Sequence, residues 1–257
     1  MAQHISLLYD GSFEGFLTCF FDAFRLNLQP GQISRESQYT ADLFSEPLQI
    51  HADSGKSLRI WNALHERVGP AKASMVQLAF LSEIPGIELD LFHFLRNVFV
   101  DESGEYSNQI LDPLVHKLIQ SARKVQQEAH RFQGFVRFEK SPEGLFQARI
   151  DPVHHIIDIL APHFVRRYPN QPWLLLDTTR KIGIQYDGHK TEAFLLEEDP
   201  VGIPAPTSEA QPQPLDAMTD LWVRYYKSVN IAERKNHRQM LRFMPRKYWK
   251  YLPEKQC

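Results

Sequence analysis

Apolar side chains recur at helical spacing near the start of the chain. A short apolar segment at residues 5–9 predicts a strand, and Asp10-Gly11-Ser12 predicts the turn after it, with Asp10 or Ser12 capping the next helix. Pro30-Gly31 predicts the turn that ends this region. The helix carries a stripe of aromatic side chains that we expect to be a core face, formed by Phe13, Phe16, Phe20, Phe21 and Phe24.

The three- and four-residue spacing resumes between residues 53 and 130, after two extended pieces around residues 39–44 and 48–51. Proline and glycine interrupt this run three times, at Gly69-Pro70, Ile84-Pro85-Gly86 and Ser103-Gly104. Because these residues favour turn geometry over a helix interior, the run predicts four helices, and the last, near 110–130, is the longest.

From residue 134 the period of the pattern changes to two. Residues 135–138 and 145–150 predict a β-hairpin, followed by a helix at about 153–168. Three more predicted strands follow, at residues 173–177, 182–186 and 192–196. The pattern therefore predicts an α+β protein whose largely antiparallel sheet packs against a helical subdomain.

The predicted organisation is one composite α+β domain over residues 1–198, with its helical part at about 53–130 and its sheet at about 134–198. Residues 199–216 are rich in proline and lack basic side chains, which predicts a surface linker. Residues 217–257 predict a last helix and a basic, aromatic tail that packs back on the core.

Composition excludes several classes of protein. The cysteines are Cys19 and Cys257, which cannot form a disulfide framework or a thiolate metal site. The start lacks the features of a signal peptide, and no apolar run reaches the ~18–20 residues that span a bilayer, so we expect a cytoplasmic protein.

The distribution of charge along the chain is uneven: residues 1–122 hold 8 Lys and Arg against 15 Asp and Glu, and residues 221–257 hold 10 Lys and Arg against 2 Asp and Glu. A concentrated positive surface indicates a polyanionic partner.

One cluster of cations lies on the predicted helix at 153–168. His163, Arg166 and Arg167 have i, i+3, i+4 spacing, which predicts one face, and guanidinium groups suit phosphate oxygens. Arg180, past the next strand, extends the same predicted surface. In the alternative interpretation, Arg166 or Arg167 pairs with Asp177 or Asp158 to close the helix onto the sheet.

A second cluster is the C-terminal tail, where cations alternate with rings. Such a mixture is typical of single-strand binding, because cations follow the phosphates while rings stack on bases. In the alternative interpretation the rings dock the chain end on the core. The predicted binding residues of the tail are Arg242, Arg246, Lys247, Tyr248, Trp249 and Lys250.

Neither a metal nor a cofactor is predicted. His154 and His155 with His163 and nearby aspartates form the best metal candidate, but adjacent helical histidines point in different directions and no recognised ligand spacing occurs. No catalytic motif is present, so His163 is a candidate acid or base on its position alone.

The second half of the chain contains several short motifs. They are Glu128-x-His130-Arg131, Gly134-Phe135-Val136-Arg137-Phe138, Leu160-Ala161-Pro162-His163-Phe164-x-Arg166-Arg167, Gln171-Pro172-Trp173, Tyr186-Asp187-Gly188, Leu221-Trp222 and Phe243-Met244-Pro245-Arg246-Lys247-Tyr248-Trp249-Lys250. Taken together, these motifs resemble a bacterial domain-of-unknown-function family labelled probable DNA metabolism protein. The opening Tyr9-Asp10-Gly11-Ser12-Phe13 is also similar to that family.

The resemblance implies work beside a radical-SAM protein in DNA modification or repair, and some relatives are fused to a uracil-DNA glycosylase-like domain. The chain itself lacks the three closely spaced cysteines of a radical-SAM centre. We therefore expect a non-enzymatic accessory protein that binds nucleic acid, single-stranded DNA above all, or one of those enzymes. The alternatives are a nuclease-like phosphodiester hydrolase that uses His163 and the adjacent arginines, and an assembly module whose acidic helical half binds the partner.

Overall fold

The computed structural model describes residues 5–39, 47–141, 144–196, 217–228 and 237–256. The chain forms two compact units, residues 1–127 and residues 128–257. The linker predicted at 199–216 and the end at Cys257 lie outside the described residues, as does most of the extended piece predicted at 39–44. None of the described helices combines the length and the apolar character needed to cross a bilayer.

The first unit opens with a small parallel sheet that the sequence pattern did not predict. Strand β1 (Ile5–Tyr9) lies between β2 (Pro30–Arg35) and β3 (Pro47–Gln49) and is parallel to both. The turn predicted at Pro30-Gly31 is therefore wrong, because these residues start β2. Helix α1 (Phe13–Arg25) connects β1 to β2, and Ser12 caps it by accepting a hydrogen bond from the backbone N–H of Gly15 at 2.9 Å.

The rest of this unit is helical, as predicted. Helix α2 (Ser54–Phe80) is broken at Gly69, whose φ of 78° no helix interior tolerates, so it consists of two helical pieces. Helix α3 (Ile87–Val100) and helix α4 (Pro113–Phe135) complete the four predicted pieces, and the residues of α4 from Glu128 onward belong to the second unit. The α1 stripe does form a core face, with Phe16 and Phe20 fully buried.

The second unit contains a five-stranded sheet. Its β5–β6 pair is parallel and is connected through helix α5 (Ile157–Arg167), whereas its other three pairs are antiparallel. This confirms the predicted α+β class, with a largely antiparallel sheet packed against helices. The strands lie in chain order as β4 (Glu139–Lys140), β5 (Phe146–Ile150), β6 (Trp173–Asp177), β7 (Ile182–Tyr186) and β8 (Thr191–Leu195).

The predicted hairpin has a shorter first strand than the alternating pattern indicates. Residues 135–138 do not form the strand, because α4 continues to Phe135 and the backbone N–H of Val136 still donates to the carbonyl of Phe132 at 3.0 Å. The strand begins only at Glu139. The hairpin therefore rests on β4 and β5 alone.

The C-terminal part of the second unit is a series of short helices. These are α6 (Ala217–Ser228), α7 (His237–Phe243), a 3₁₀ helix (Arg246–Tyr251) and α8 (Pro253–Gln256). The side chains of Lys255 in α8 and Tyr226 in α6 are hydrogen-bonded, which joins the two helices.

Candidate functional site

A cavity of about 820 Å³ lies within the second unit. Volumes of ~300–1,000 Å³ are typical of small-ligand sites. The end of α4 and the segment after it, β4, β5, α5, β6 and α6 all contribute to its lining. Six of the described lining residues are aromatic: Phe138, Phe146, Phe164, Tyr168, Trp173 and Trp222.

Four of these rings pack against one another, and we call them the floor: Phe138, Phe164, Tyr168 and Trp173. Phe164 and Trp173 are 2% and 1% exposed. The ring centroid of Phe138 lies 5.2 Å from that of Phe164, 5.5 Å from that of Tyr168 and 5.9 Å from that of Trp173, each in edge-to-face geometry. Helix α5 and strand β6 thus fix the floor from two directions.

Three exposed lining residues form what we call the rim: Lys140, Arg167 and Trp222. The Arg167 guanidinium lies 5.6 Å from the centroid of the Tyr168 ring, and its Nε donates to the Tyr168 hydroxyl at 3.2 Å. The Lys140 ammonium lies 5.9 Å from the centroid of Phe146. Within the described part of the chain neither cation forms an ion pair, and no described lining residue is acidic.

Arg137 also lines the cavity, but it has an acidic partner. Its guanidinium donates to Glu254 at 2.7 Å, and the Glu254 side chain is 1% exposed. The same guanidinium lies 4.7 Å from the centroid of Trp222. Because its charge is compensated, Arg137 serves to hold α8 and the Trp222 ring in place.

Three buried polar atoms of described lining residues have no hydrogen-bond partner. They are the indole N–H of Trp173, the Nε2 atom of His163 and the Nε atom of Arg137. Leaving a buried polar group unsatisfied costs about 1–3 kcal/mol, so a hydrogen-bond partner for any of these atoms would be stabilising.

The surroundings of His163 favour its neutral form. Burial lowers the pKa of the imidazole below its ordinary value, and the positive charges of Arg167 and Arg166 lower this pKa further. A neutral imidazole has one nitrogen free to accept a proton or a hydrogen bond.

The structure separates two arginines that the sequence predicts on one face. His163 and Arg167 line the cavity together, whereas Arg166 borders a second depression of about 420 Å³ with Asp158 and Ile184. Consecutive helical residues lie about 100° apart, so neighbours at 166 and 167 face different sides. Neither arginine takes the alternative partners, because Asp177 pairs with Arg180 at 3.0 Å and Asp158 with His155 at 3.5 Å.

Arg180 lies away from the cavity and has several internal partners. Besides the Asp177 carboxylate, its guanidinium donates to the carbonyl of Pro152 at 3.2 Å and to that of Val153 at 2.9 Å. Asp177 is fully buried at the end of β6. This network closes the turn between β6 and β7 onto the segment before α5.

The tail docks through a buried carboxylate on α4. Glu128, 3% exposed, accepts from the Tyr248 hydroxyl at 3.1 Å, from the backbone N–H of His154 at 2.8 Å and from Lys247 at 3.4 Å. The Tyr248 ring is 6% exposed and lies edge-on to Phe132, at 5.2 Å between centroids. Tyr248 is therefore an internal anchor and does not present its ring to solvent.

The other predicted tail residues are closer to the surface. Lys250 pairs with Asp151 at 3.3 Å, and the indole N–H of Trp249 donates to the carbonyl of Met244 at 3.0 Å. A hydrogen bond from Thr179 lowers the pKa of Asp151, and the charge of Lys250 adds to this effect. Arg242 and Arg246 are exposed, the latter 5.9 Å from the centroid of Trp249. Nucleic-acid binding by the tail stays a prediction.

The described residues contain no group of three or more His, Cys, Asp and Glu side chains placed to hold a metal ion. Among the predicted binding residues, the cavity brings together Arg167 and His163. Sequence reasoning missed Lys140, Phe138 and Trp222, although Phe138 and Trp222 lie in motifs that carried the family resemblance. Their roles depend on a cavity built from segments more than eighty residues apart, which spacing alone cannot reveal.

The fold and the cavity define an α+β protein with an aromatic cavity bordered by cations. The chain belongs to the family described as a domain of unknown function, DUF4130, whose model matches residues 85–254 and thereby covers every described lining residue of the cavity. No curated protein matches the chain, and no solved structure matches it.

Proposed function

We propose that this protein binds single-stranded DNA through the cavity of its second unit, as an accessory protein in DNA repair or DNA modification. The observation that carries the proposal is a set of six aromatic rings bordered by two cations, neither of which has an acidic partner among the residues that the structure describes. Rings of this kind stack on bases, and cations without internal partners attract phosphates.

The energetics favour a single strand over a duplex. Stacking of a base on an aromatic side chain contributes about 1–3 kcal/mol, and only an unpaired strand exposes its base faces. Lys140 and Arg167 lie on the rim, where a phosphate backbone outside the cavity comes within their reach. Binding is thus expected to weaken steeply as salt is added, because phosphate contacts release counterions.

The family resemblance supplies the pathway context of the proposal. It suggests a radical-SAM DNA-modification enzyme or a uracil-DNA glycosylase-like enzyme as the partner that carries out the chemistry, in the cytoplasm. In this arrangement the cavity holds the DNA while the partner acts on it. Co-purification of the full chain with such an enzyme tests this part separately, and a chain that never co-purifies with either enzyme contradicts it.

Fluorescence anisotropy with a labelled oligothymidylate tests DNA binding. The matched pair of variants is Arg167→Gln and Arg166→Gln, which remove equal charge from adjacent residues, one inside the cavity and one outside it. We expect Arg167→Gln to weaken binding by roughly tenfold, the usual effect of losing a charged hydrogen bond, and Arg166→Gln by less than about twofold. Equal effects, or no binding by the parent protein, would contradict the proposal.

A second candidate function is phosphodiester hydrolysis. Burial and two arginines keep the pKa of His163 low, so the imidazole is available as a general base in the same cavity as Arg167. Incubation of labelled DNA with the protein and divalent metals tests this function. Cleavage that disappears in His163→Gln would establish the hydrolase. DNA that stays uncleaved would contradict this second function and leave DNA binding as the proposal.

A further inference from the structure

We infer that the cavity takes up one unstacked nucleotide, with its base against the floor and its phosphate at the rim. The inference rests on the proposed binding of single-stranded DNA and narrows it to the chemical unit that is recognised. A nucleotide at a strand end or one turned out of a helix meets this description, whereas a run of stacked bases does not.

The arrangement of the rings limits the number of bases. Proteins that bind long single strands place separate aromatic platforms along a groove, one for each stacked base. In this cavity the floor rings gather around Phe138, whose ring centroid is only 5.2–5.9 Å from that of each of the other three. Such a cluster forms one surface, and a volume of about 820 Å³ is in the range of a single small ligand.

The distribution of charge places the phosphate outside the floor. Arg167 and Lys140 are exposed and have no acidic partner within the described residues. Arg137 is compensated by the buried Glu254 and is occupied with Trp222. A phosphate at the two rim cations and a base below them match this separation of charged rim from apolar floor.

The unsatisfied atoms of the lining suit a base better than a simple hydrocarbon ring. The Trp173 indole can only donate a hydrogen bond, and Nε2 of His163 has no partner. Every base carries carbonyl or ring-nitrogen acceptors, and most carry donors as well. The Trp173 donor has almost no exposed surface, so an acceptor of the occupant would satisfy it only if the side chains around it move.

Competition experiments on the full chain test the inference. Labelled oligothymidylate is displaced with thymidine 5′-monophosphate, with thymidine and with inorganic phosphate. We expect complete displacement by the nucleotide, displacement at roughly tenfold higher concentration by thymidine, because one charged contact is lost, and none by phosphate at the concentration where the nucleotide is effective.

A matched pair of tryptophan variants locates the base. Trp173→Phe keeps an aromatic side chain, smaller than the indole, and removes the unpartnered N–H, so nucleotide affinity should fall by roughly fivefold, the effect of one hydrogen bond. Trp249→Phe is the control, because the Trp249 N–H is bonded within the tail and the residue does not line the cavity. Thermal unfolding checks that both variants fold. If Trp173→Phe does not fold, the titration is made with Arg167→Gln, because Arg167 is exposed and its substitution leaves the core intact.

The outcomes separate this inference from the proposed function. If the oligonucleotide binds and the mononucleotide fails to displace it, the single-nucleotide inference is overturned and DNA binding stands. If the oligonucleotide does not bind, the proposed function fails, and calorimetric titration of the mononucleotide then decides the inference alone. Displacement by phosphate as effective as by the nucleotide would also overturn it, because the base would contribute nothing.

Discussion

The cavity and the C-terminal tail use the same kinds of side chain for different ends. In the tail, Lys247 pairs with Glu128, Lys250 pairs with Asp151 and the Tyr248 ring is buried. In the cavity, the Lys140 and Arg167 cations border aromatic rings but have no acidic partner among the described residues. Amino-acid composition alone therefore makes both regions candidates for binding. The difference is that the tail lysines have carboxylate partners within the protein, whereas the cavity cations have none among the described residues.

The largest effect on stability is expected at Glu128. Glu128→Ala removes the acceptor of the buried Tyr248 hydroxyl and of the His154 backbone N–H. Because buried donors are left unsatisfied, we expect the free energy of unfolding to fall by about 3 kcal/mol, measured by urea titration. Lys247→Gln is the control, since its ammonium is 49% exposed, and we expect a loss below about 1 kcal/mol. Similar small losses in both variants would mean that the tail is not anchored there.

Trp222 distinguishes binding from stability. The ring lines the cavity and is 38% exposed, so Trp222→Ala should weaken oligothymidylate binding by about 1–3 kcal/mol and change the free energy of unfolding by less than about 1 kcal/mol. Tyr225→Ala, on the same helix but outside the lining, is the matched control. Anisotropy titrations that give equal losses for both variants would place the DNA on the outer face of α6 instead.

Salt dependence compares the two regions directly. Each phosphate contact to a single strand contributes about 0.7 to the slope of log affinity against log salt concentration. We expect Arg167→Gln and Lys140→Gln each to reduce the slope by about this amount, and Lys247→Gln and Lys250→Gln to leave it unchanged. A reduction by the tail variants instead would support the tail as the interface.

The smallest expected effect is a pH dependence that comes from His163. Its pKa is lowered in the folded protein by burial and by Arg167 and Arg166, so below pH ~6.5 the unfolded chain binds the proton more readily than the folded one. The stability that the neutral imidazole contributes is therefore complete above pH ~6.5 and declines as the pH falls toward the folded pKa. Urea titrations across this range should show a steeper decline for the parent than for His163→Gln, and parallel profiles would contradict the placement of His163.

The sequence predicted the regular elements better than the site. Helix α1, the four helical pieces between 54 and 135 and strands β6 and β7 follow from spacing, because their apolar residues face a core. Strand β8 was also predicted, although its Leu195 is exposed. Strand β2 was missed because Pro30 and Gly31 favour turns in isolation, and the parallel pairing with β1 overrides that preference. Residues 135–138 alternate like a strand, yet Phe135 packs on Tyr248 at 5.4 Å between ring centroids, as the last residue of α4.

The candidate site depended on contacts that spacing does not encode. The cationic composition of α5 was visible, but the separation of Arg166 from Arg167 required knowing which side of the helix the sheet covers. Likewise, only the structure shows that Glu128 and Asp151 compensate the tail lysines. A cluster of basic residues in a sequence therefore predicts a negatively charged partner, but only the structure shows whether that partner is a carboxylate of the same chain.

The indole N–H signals of the tryptophans test the central claim most directly. The chain has four tryptophans, of which Trp173 and Trp222 line the cavity, whereas Trp249 lies in the tail and Trp61 in α2. Nitrogen-15 NMR of the full chain during addition of single-stranded oligothymidylate should shift the signals of Trp173 and Trp222 and leave those of Trp249 and Trp61 in place. A shift of Trp249 with Trp173 and Trp222 unmoved would contradict the account and assign the DNA to the tail.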